Sequence, residues 1–208
     1  MKLDVKKTDD SYQARHGEFR ILQVPARQYL MVDGHGDPNS SNDFTHALDA
    51  LYPLSYGLKF ASKNELDRDY VVPPLEGLWW AETELAFTSE RDKSAWSWTM
   101  LVMVPDWITS TLFAEVRKRV LARTAAKGDP TSLGEVRLET LDERRCVQTL
   151  HLGSFETEGP TLDAMHHDFI PAHALTMTGK HHEIYFSDFR RVDPAKFRTI
   201  LRQPVLDA

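Results

Sequence analysis

Apolar residues recur along this chain with two spacings, and glycine-rich turns mark where one spacing gives way to the other. Five stretches carry the β-branched and aromatic residues, partly alternating with polar ones, that favour strands. They are residues 19–32, 70–84, 94–107, 134–153 and 181–191. Three further stretches have the i, i+3, i+4 spacing of amphipathic helices. They lie within residues 40–62, 109–126 and 156–175. The last stretch, residues 193–205, predicts a short helix or a strand.

The first predicted helix has the clearest pattern. Ser41 or Asn42 can cap its amino end, and Pro53 inside it predicts a kink. One stripe of the helix is expected to pack on a sheet, and it consists of Phe44, Leu48, Leu51, Ser55 and Leu58.

The order strand, glycine turn, helix, strand occurs twice. The stretch YLMVDG before the first helix corresponds to VQTLHLG before the third, and LEGLWW after the first corresponds to HEIYFS after the third. Glu76 therefore corresponds to Glu183. The repeat predicts an α+β fold of pseudo-twofold tandem βαββ modules. Its antiparallel sheet is expected to carry helices on one face and a ligand groove on the other.

This repeat also sets the expected domain organisation. Residues 1–17 are polar and predict a flexible N-terminal arm. Residues 18–208 are expected to form a single domain, whose halves cover about 18–108 and 109–208.

The stretch GKHHEIYFSD holds the main candidates for chemistry. A strand alternates its faces with period two, so Glu183 and Tyr185 share one face while Ile184 and Phe186 share the other. Ile184 and Phe186 are expected to pack on a helix. A carboxylate and a phenol then face the groove, although such a pair is often simply solvated or paired across strands.

Aromatic residues supply candidate walls for this groove. Walls of this kind together with one or two acids suit planar, apolar and often cationic ligands. Trp96 and Trp98 alternate onto one face of a strand, whereas Trp79 and Trp80 point to opposite faces, so one of the latter pair joins them. The predicted ligand-binding residues are Tyr52, Tyr56, Glu76, Trp79, Trp80, Trp96, Trp98 and Trp107. The alternative is that the strand aromatics are core or dimer contacts.

Composition narrows the classes of partner. The 208 residues include 25 Lys and Arg against 31 Asp and Glu, a net charge of −6, which gives no electrostatic footprint for nucleic acid or an anionic membrane. No apolar run approaches the ~20 residues of a membrane span, and the amino terminus lacks the apolar core of a signal peptide. One cysteine excludes an internal disulfide framework. We expect a cytoplasmic protein, and leave a homodimer open.

No cofactor or metal is predicted. Gly34 and Gly36 form a G-x-G without the continuation that a dinucleotide site needs. The pairs His166-His167 and His181-His182 cannot chelate as units, because adjacent side chains diverge on helices and strands alike. These histidines are expected to be solvated or to cap helices, and no helical axial ligand favours haem.

Six motifs in order make the chain resemble the GyrI-like small-molecule-binding family, most closely its stand-alone branch. They span roughly residues 18–206 and read DGHGDPNS, ALYPLSYGLKF, PPLEGLWW, WTMLVMVPDWIT, LHLGSFETEGPTLDAMHHDFI and HHEIYFSDFRRVDPAKFRTILRQPV. The resemblance implies two βαββ modules with a central groove. It also implies multidrug binding or hydrolysis of DNA-alkylating cyclopropanoids, with Glu183 as the acid and Tyr185 near it. Trp107 stands where similar chains are expected to have Phe.

Three functions follow from this resemblance. The first is a metal-independent hydrolase with Glu183 as base and Tyr185, or alternatively Tyr56, as hydrogen-bond donor. The second is a passive multidrug or effector binder, and the third is a protein-interaction module like a gyrase inhibitor. An enzyme turns over, a binder only titrates, and an inhibitor needs no groove acid.

Overall fold

The computed structural model describes residues 2–81, 93–124 and 131–208. The helices in these residues are α1 (Val5–Thr8), α2 (Asn42–Glu65), α3 (Ser110–Thr124), α4 (Thr131–Glu135) and α5, which consists of Gly159–Asp163, a π-helical Ala164–Phe169 and Ile170–Ala172. The strands are β1 (Arg20–Val24), β2 (Arg27–His35), β3 (Leu75–Ala81), β4 (Trp96–Val104), β5 (Arg137–Leu141), β6 (Arg144–Leu152), β7 (Leu175–Met177), β8 (His181–Tyr185) and β9 (Arg198–Asp207). The ends of the predicted strand 70–84 and of the predicted helix 109–126 lie outside the described residues.

These elements form two compact units. Unit 1 contains Met1–Thr8, Arg27–Pro73 and Trp79–Leu141, and unit 2 contains Asp9–Ala26, Pro74–Leu78 and Asp142–Ala208. Strand β3 contributes to both units, because the division falls between Leu78 and Trp79.

Each unit is built on an antiparallel sheet. In unit 1, β4 lies between β2 and β3, and β5 pairs with the other edge of β2. In unit 2, β9 lies between β6 and β8, β1 pairs with the free edge of β6, and β3 flanks β8. The short β7 pairs with the end of β9. Residues 193–205, left open between helix and strand, form mainly the strand β9 after one turn at Pro194–Lys196.

The predicted α+β repeat is confirmed by the order of the elements. The run β2–α2–β3–β4 corresponds to β6–α5–β8–β9, and in both runs the last strand lies between the other two. Strand partners nevertheless cross the predicted division into residues 18–108 and 109–208. Strand β1 joins the second module by pairing with β6, while α3 and β5 belong to unit 1.

The amino-terminal residues are held more closely than the polar composition suggested. In unit 1, Leu3 forms a bridge to Tyr70, and Val5 is buried. In unit 2, the turn Asp10–Tyr12 buries Ser11 and Tyr12. Where the sequence predicts a flexible arm, the chain is thus anchored by backbone pairing and by one buried aromatic ring.

Helix α2 follows its sequence pattern. The Ser41 hydroxyl accepts a hydrogen bond from the Asp43 amide at 3.2 Å, which caps the helix. The helix continues through Pro53, which is exposed. The predicted stripe is buried at every position, namely Phe44, Leu48, Leu51, Ser55 and Leu58. Among the described helices, none is long and apolar enough to cross a membrane.

Gly34 of β2 makes room for an indole. It lies opposite Trp98 of β4, and a methyl group at residue 34 would stand 2.0 Å from the Trp98 ring. Because overpacking a tight contact forces the neighbours to move, we expect Gly34→Ala to lower the free energy of unfolding by about 1–3 kcal/mol. Urea denaturation measures this, with Gly134→Ala as control, since a methyl group there meets nothing within 4 Å. Equal stability of Gly34→Ala and wild type would contradict the close contact.

Candidate functional site

Strand β8 brings Glu183 and Tyr185 together in unit 2. Their side chains leave the same face of the strand, and the Tyr185 hydroxyl donates a hydrogen bond to Glu183 Oε2 at 2.8 Å. The Glu183 side chain is 13% exposed, and Tyr185 is 7% exposed. The Glu183 carboxylate is therefore mostly buried, and a phenol holds one of its oxygens.

The face of β8 that carries Glu183 is the helix-covered face, which differs from the prediction. Glu183 is opposite Leu201 of β9, so both side chains point to the same side of the sheet. Leu201 packs in a cluster with Met165 and Ile170 of α5. Ile184 points to the other side, where it is also fully buried. Ile184 lies on the face opposite the one that α5 covers, so the prediction that Ile184 packs on this helix is wrong.

Histidines surround the other side of the carboxylate. His181 is buried, and its Nε2 lies 3.6 Å from Glu183 Oε1. The His166 ring of α5 packs edge-on against the His181 ring, with 6.1 Å between centroids. Burial lowers the pKa of His166 to about 3, and burial also lowers the pKa of the nearby His151. The imidazoles of His151 and His166 are therefore neutral near pH 7, and the expectation of solvated histidines fails for His181.

Three aromatic rings pack together in unit 2 and form what we call the unit 2 aromatic cluster: Phe155, Phe189 and Tyr185, the last of which holds Glu183. Their centroids are 5.6 Å, 6.0 Å and 6.0 Å apart, and the rings meet edge to face. Phe197 backs the cluster at 5.2 Å from Phe155. Sequence reasoning missed Phe155 and Phe189. The predicted strand 181–191 included Phe189, but β8 ends at Tyr185 and Phe189 lies in the turn after it, while Phe155 begins a short turn after β6.

The tryptophans predicted as ligand walls lie in unit 1, where two of them pack against Phe44 of α2 and a third packs against one of the two. Trp98 and Trp79 lie 5.4 Å and 6.3 Å from the Phe44 ring, and Trp96 lies 5.8 Å from Trp79. Trp98 is fully buried and its Nε1 donates to the Gly36 carbonyl oxygen. The Trp98 ring thus has no surface open to a ligand and is a core residue.

The remaining predicted aromatics occupy other parts of unit 1. Trp107 donates to Ser62 near the end of α2 and packs edge-on against Tyr70. Tyr56 is half exposed and lines a groove of about 400 Å³ between α2 and α3. Tyr52 and Trp80 are partly buried.

The remaining predicted acid, Glu76, belongs to a different constellation in unit 2. Glu76 Oε2 lies 2.9 Å from Nε2 of His182, and Glu143 Oε1 lies 2.9 Å from Nδ1 of the same ring. Arg202 donates to Glu143 Oε2 at 2.8 Å. We call Glu76, Glu143, His182 and Arg202 the buried charge network, because each side chain is at most 4% exposed. His182 points away from Glu183, so Glu76 and Glu183 are on opposite faces.

His182 was expected to be solvated, but it is buried and charged within this network. Burial alone would lower the pKa of His182, but the attraction of Glu143 and the hydrogen bonds to both glutamates raise this pKa to about 9. Burial alone would raise the pKa of Glu143, but His182 and Arg202 lower it to about 2. Both groups are therefore ionised across the neutral range.

This pKa pattern predicts a pH dependence of stability. The His182 pKa rises on folding, so its contribution is complete below the unfolded value of 6.5 and is lost as the pH rises through about 9. The Glu143 contribution is complete above 4.5 and is lost as the pH falls through about 2. Folding lowers the pKa of His166 to about 3 and also lowers the pKa of His151, so the stability from their neutral forms is lost as the pH falls below 6.5. We therefore expect the free energy of unfolding to be greatest near pH 6.5, to fall on the acid side, and to fall on the alkaline side before the lysines titrate. Chemical denaturation across pH measures it; an unchanged value up to pH 10 would contradict the buried imidazolium.

In the described part of the chain, no group of three or more His, Cys, Asp or Glu side chains is arranged to hold a metal ion. Chemically, the two constellations differ. The buried charge network is closed to solvent and internally neutral, whereas Glu183 is a partly buried carboxylate beside aromatic rings and neutral imidazoles. Such a carboxylate can pair with a cation stacked on the rings or accept a proton from water.

Comparison with known proteins shows which family the chain is similar to. The model of the GyrI-like small molecule binding domain matches residues 17–206. An uncharacterized conserved protein of Listeria innocua is 36% identical over 99% of this chain and all of its own, with a TM-score of 0.87. A hydrolase from Listeria innocua is 35% identical over the same shares, with a TM-score of 0.83.

A more distant structure shares the fold alone. The C-terminal domain of EcmrR is 10% identical and gives a TM-score of 0.55 over 92% of this chain and 98% of that domain. No curated protein matches the sequence. With a family model that covers nearly the whole length and relatives above one-third identity, the chain belongs to the GyrI-like small molecule binding domain family.

Proposed function

We propose that this GyrI-like domain binds planar hydrophobic small molecules at Glu183 and the unit 2 aromatic cluster, and that it hydrolyses ligands that carry a cyclopropane fused to a dienone. The observation that carries the proposal is the Glu183–Tyr185 hydrogen bond beside Phe155 and Phe189. The near-full-length similarity to a hydrolase from Listeria innocua supports the catalytic part.

The binding half of the proposal follows from ring and charge chemistry. Phe155 and Phe189 are only partly buried, so a flat ligand can stack on them. A cation over an aromatic face gains about 0.5–2 kcal/mol, and the nearby Glu183 carboxylate adds charge pairing. A planar hydrophobic cation therefore matches both features.

The catalytic half assigns one role to each oxygen of Glu183. Tyr185 holds Oε2 and so fixes the carboxylate. The other oxygen, Oε1, which has His181 Nε2 at 3.6 Å, takes a proton from an attacking water. The water oxygen forms a bond to a cyclopropane carbon, and the ring bond to the dienone breaks. Its electron pair passes through the conjugated system to the carbonyl oxygen, which gains a proton and becomes a phenol. Glu183 then releases its proton, so nothing besides water is consumed.

This division of roles changes the expectation for Tyr185. The sequence suggested Tyr185 as the donor to the growing negative charge on the carbonyl oxygen. Since its hydroxyl already donates to Glu183, we assign it the orientation of the base. Positioning of this kind lowers the barrier by holding the reacting groups in register.

A dye titration tests the binding half. A rhodamine-type cation is titrated into wild type, Glu183→Gln and the control Glu156→Gln, whose glutamate is exposed in the same unit. We expect Glu183→Gln to weaken cation binding roughly tenfold, about 1.4 kcal/mol, with binding of a neutral flat dye unchanged. Equal cation affinity in Glu183→Gln and wild type would show that this carboxylate is not the counter-charge.

A further inference from the structure

The buried charge network lies directly behind the proposed site. His182 is the residue before Glu183 on β8, and its ring leaves the strand on the opposite face. The ring is joined to Glu76 of β3 on one side and to Glu143, which precedes β6, on the other. His182 is also opposite Arg202 of β9. Two side-chain contacts and the strand pairing with β9 therefore connect β8 to three other parts of unit 2, at the residue next to the proposed base.

The geometry fixes the protonation of His182. Each ring nitrogen faces a carboxylate oxygen at 2.9 Å, and an ionised carboxylate only accepts hydrogen bonds. Both ring nitrogens must then donate, which requires the imidazolium form. Two carboxylates, one imidazolium and one guanidinium give the network a net charge of zero.

Every strong donor in the network has an acceptor. Arg202 donates to Glu143 at 2.8 Å, to Gln148 at 3.1 Å and to the Ser11 carbonyl oxygen at 2.6 Å. Tyr12 donates to the second oxygen of Glu76 at 2.5 Å. A fully satisfied buried network of this kind is rigid, because any displacement leaves charges unpaired in a medium that solvates them poorly.

We propose that His182, held by Glu76 and Glu143, is a positioning residue for Glu183. The network holds the backbone of β8 at residue 182. Glu183 is the next residue of this short strand, and Tyr185 is its last residue. The inference rests on the proposed function of Glu183. It adds that the orientation of this carboxylate depends on contacts made on the reverse face of the strand.

The test removes the charges in balance, because removing one alone leaves an unpaired buried charge that often prevents folding. In the double variant Glu76→Gln/His182→Gln, one amide can donate to the other, and the Glu143–Arg202 pair remains. The matched control is Asp163→Asn/His167→Gln, which removes an exposed pair on α5. Circular dichroism and urea denaturation first establish that each variant folds.

Two readouts then separate positioning from stability alone. The first is the affinity for the rhodamine-type cation, and the second is kcat and KM for a cyclopropane-fused dienone. Each is measured for the double variant in the wild-type background and in the Glu183→Gln background. We expect the folded double variant to lose about 10- to 100-fold in kcat with KM nearly unchanged, the scale of a misplaced catalytic group. The same double change made in the Glu183→Gln background is expected to have no further effect on either readout.

The outcomes are distinguishable. If Glu183→Gln alone changes neither readout, the proposed function falls and takes this inference with it. Positioning is overturned, and the proposed function stands, in two cases in which Glu183→Gln lowers kcat or cation affinity. In the first, the folded double variant behaves as wild type. In the second, the loss caused by the double change is just as large in the Glu183→Gln background. If the double variant does not fold, Tyr12→Phe decides in the same cycle, because it loosens Glu76 without removing a charge. A Tyr12→Phe effect independent of Glu183 also overturns the inference.

Discussion

Glu183→Gln is expected to lower kcat for hydrolysis of a cyclopropane-fused dienone by about 10²–10⁴-fold, the usual contribution of a general base. Glutamine keeps the size of the side chain, and its carbonyl oxygen can still accept from Tyr185. It cannot take a proton from water. The variant is therefore expected to fold normally and to keep the stacking contacts with Phe155 and Phe189. Product formation followed by chromatography under saturating substrate gives kcat.

The control for this substitution is Glu156→Gln, which removes an exposed carboxylate from the same unit. It is expected to leave kcat within the error of wild type. Full activity in Glu183→Gln would mean that another group accepts the proton, and would remove Glu183 from the mechanism.

Arg202→Met is expected to lower the free energy of unfolding by about 3–5 kcal/mol, the cost of leaving buried charge without its partner. Methionine fills much of the space, but Glu143 Oε2, Gln148 and the Ser11 carbonyl oxygen each lose the hydrogen bond that Arg202 donates. The network then carries a net negative charge in a site that is at most 4% exposed. Urea denaturation near pH 6 measures the loss.

Arg198→Met serves as its control, because Arg198 begins the same strand and is exposed. Its substitution is expected to change stability by less than about 0.5 kcal/mol, as surface changes usually do. A loss below 1 kcal/mol in Arg202→Met would mean that the four charges are less buried or less tightly coupled than their distances indicate.

Local features of this fold could be predicted from the sequence, since they depend on neighbours in the chain. The Ser41 cap, the buried stripe of α2 and the strand–helix–strand order of the two modules belong to this class. Strand pairing could not be predicted, because β1 could pair with a neighbouring strand or with β6, and only contacts between distant parts of the chain decide between the two. The same reason put β5 beside β2 rather than in a hairpin with β6.

The candidate site shows the same limit. Alternation correctly joined Glu183 with Tyr185. It could not tell which face α5 covers, because Ile184 on one face and Leu201 on the other are both fully buried. The buried charge network was also beyond prediction, since its members come from distant segments and look like surface residues singly. The tryptophans of unit 1 were predicted as ligand walls from residue type and strand alternation, and Trp98 is instead packed on Gly34.

The most direct test of the central claim is turnover by the wild-type chain in isotopically labelled water. A cyclopropane-fused dienone is incubated with substoichiometric protein, and the phenol product is analysed by mass spectrometry. The account predicts many product molecules per protein molecule, each with one labelled oxygen on the carbon of the opened ring, and the protein mass unchanged. Product no faster than in buffer, or a single equivalent attached covalently to the protein, would contradict hydrolysis by Glu183 and leave a domain that only binds its ligand.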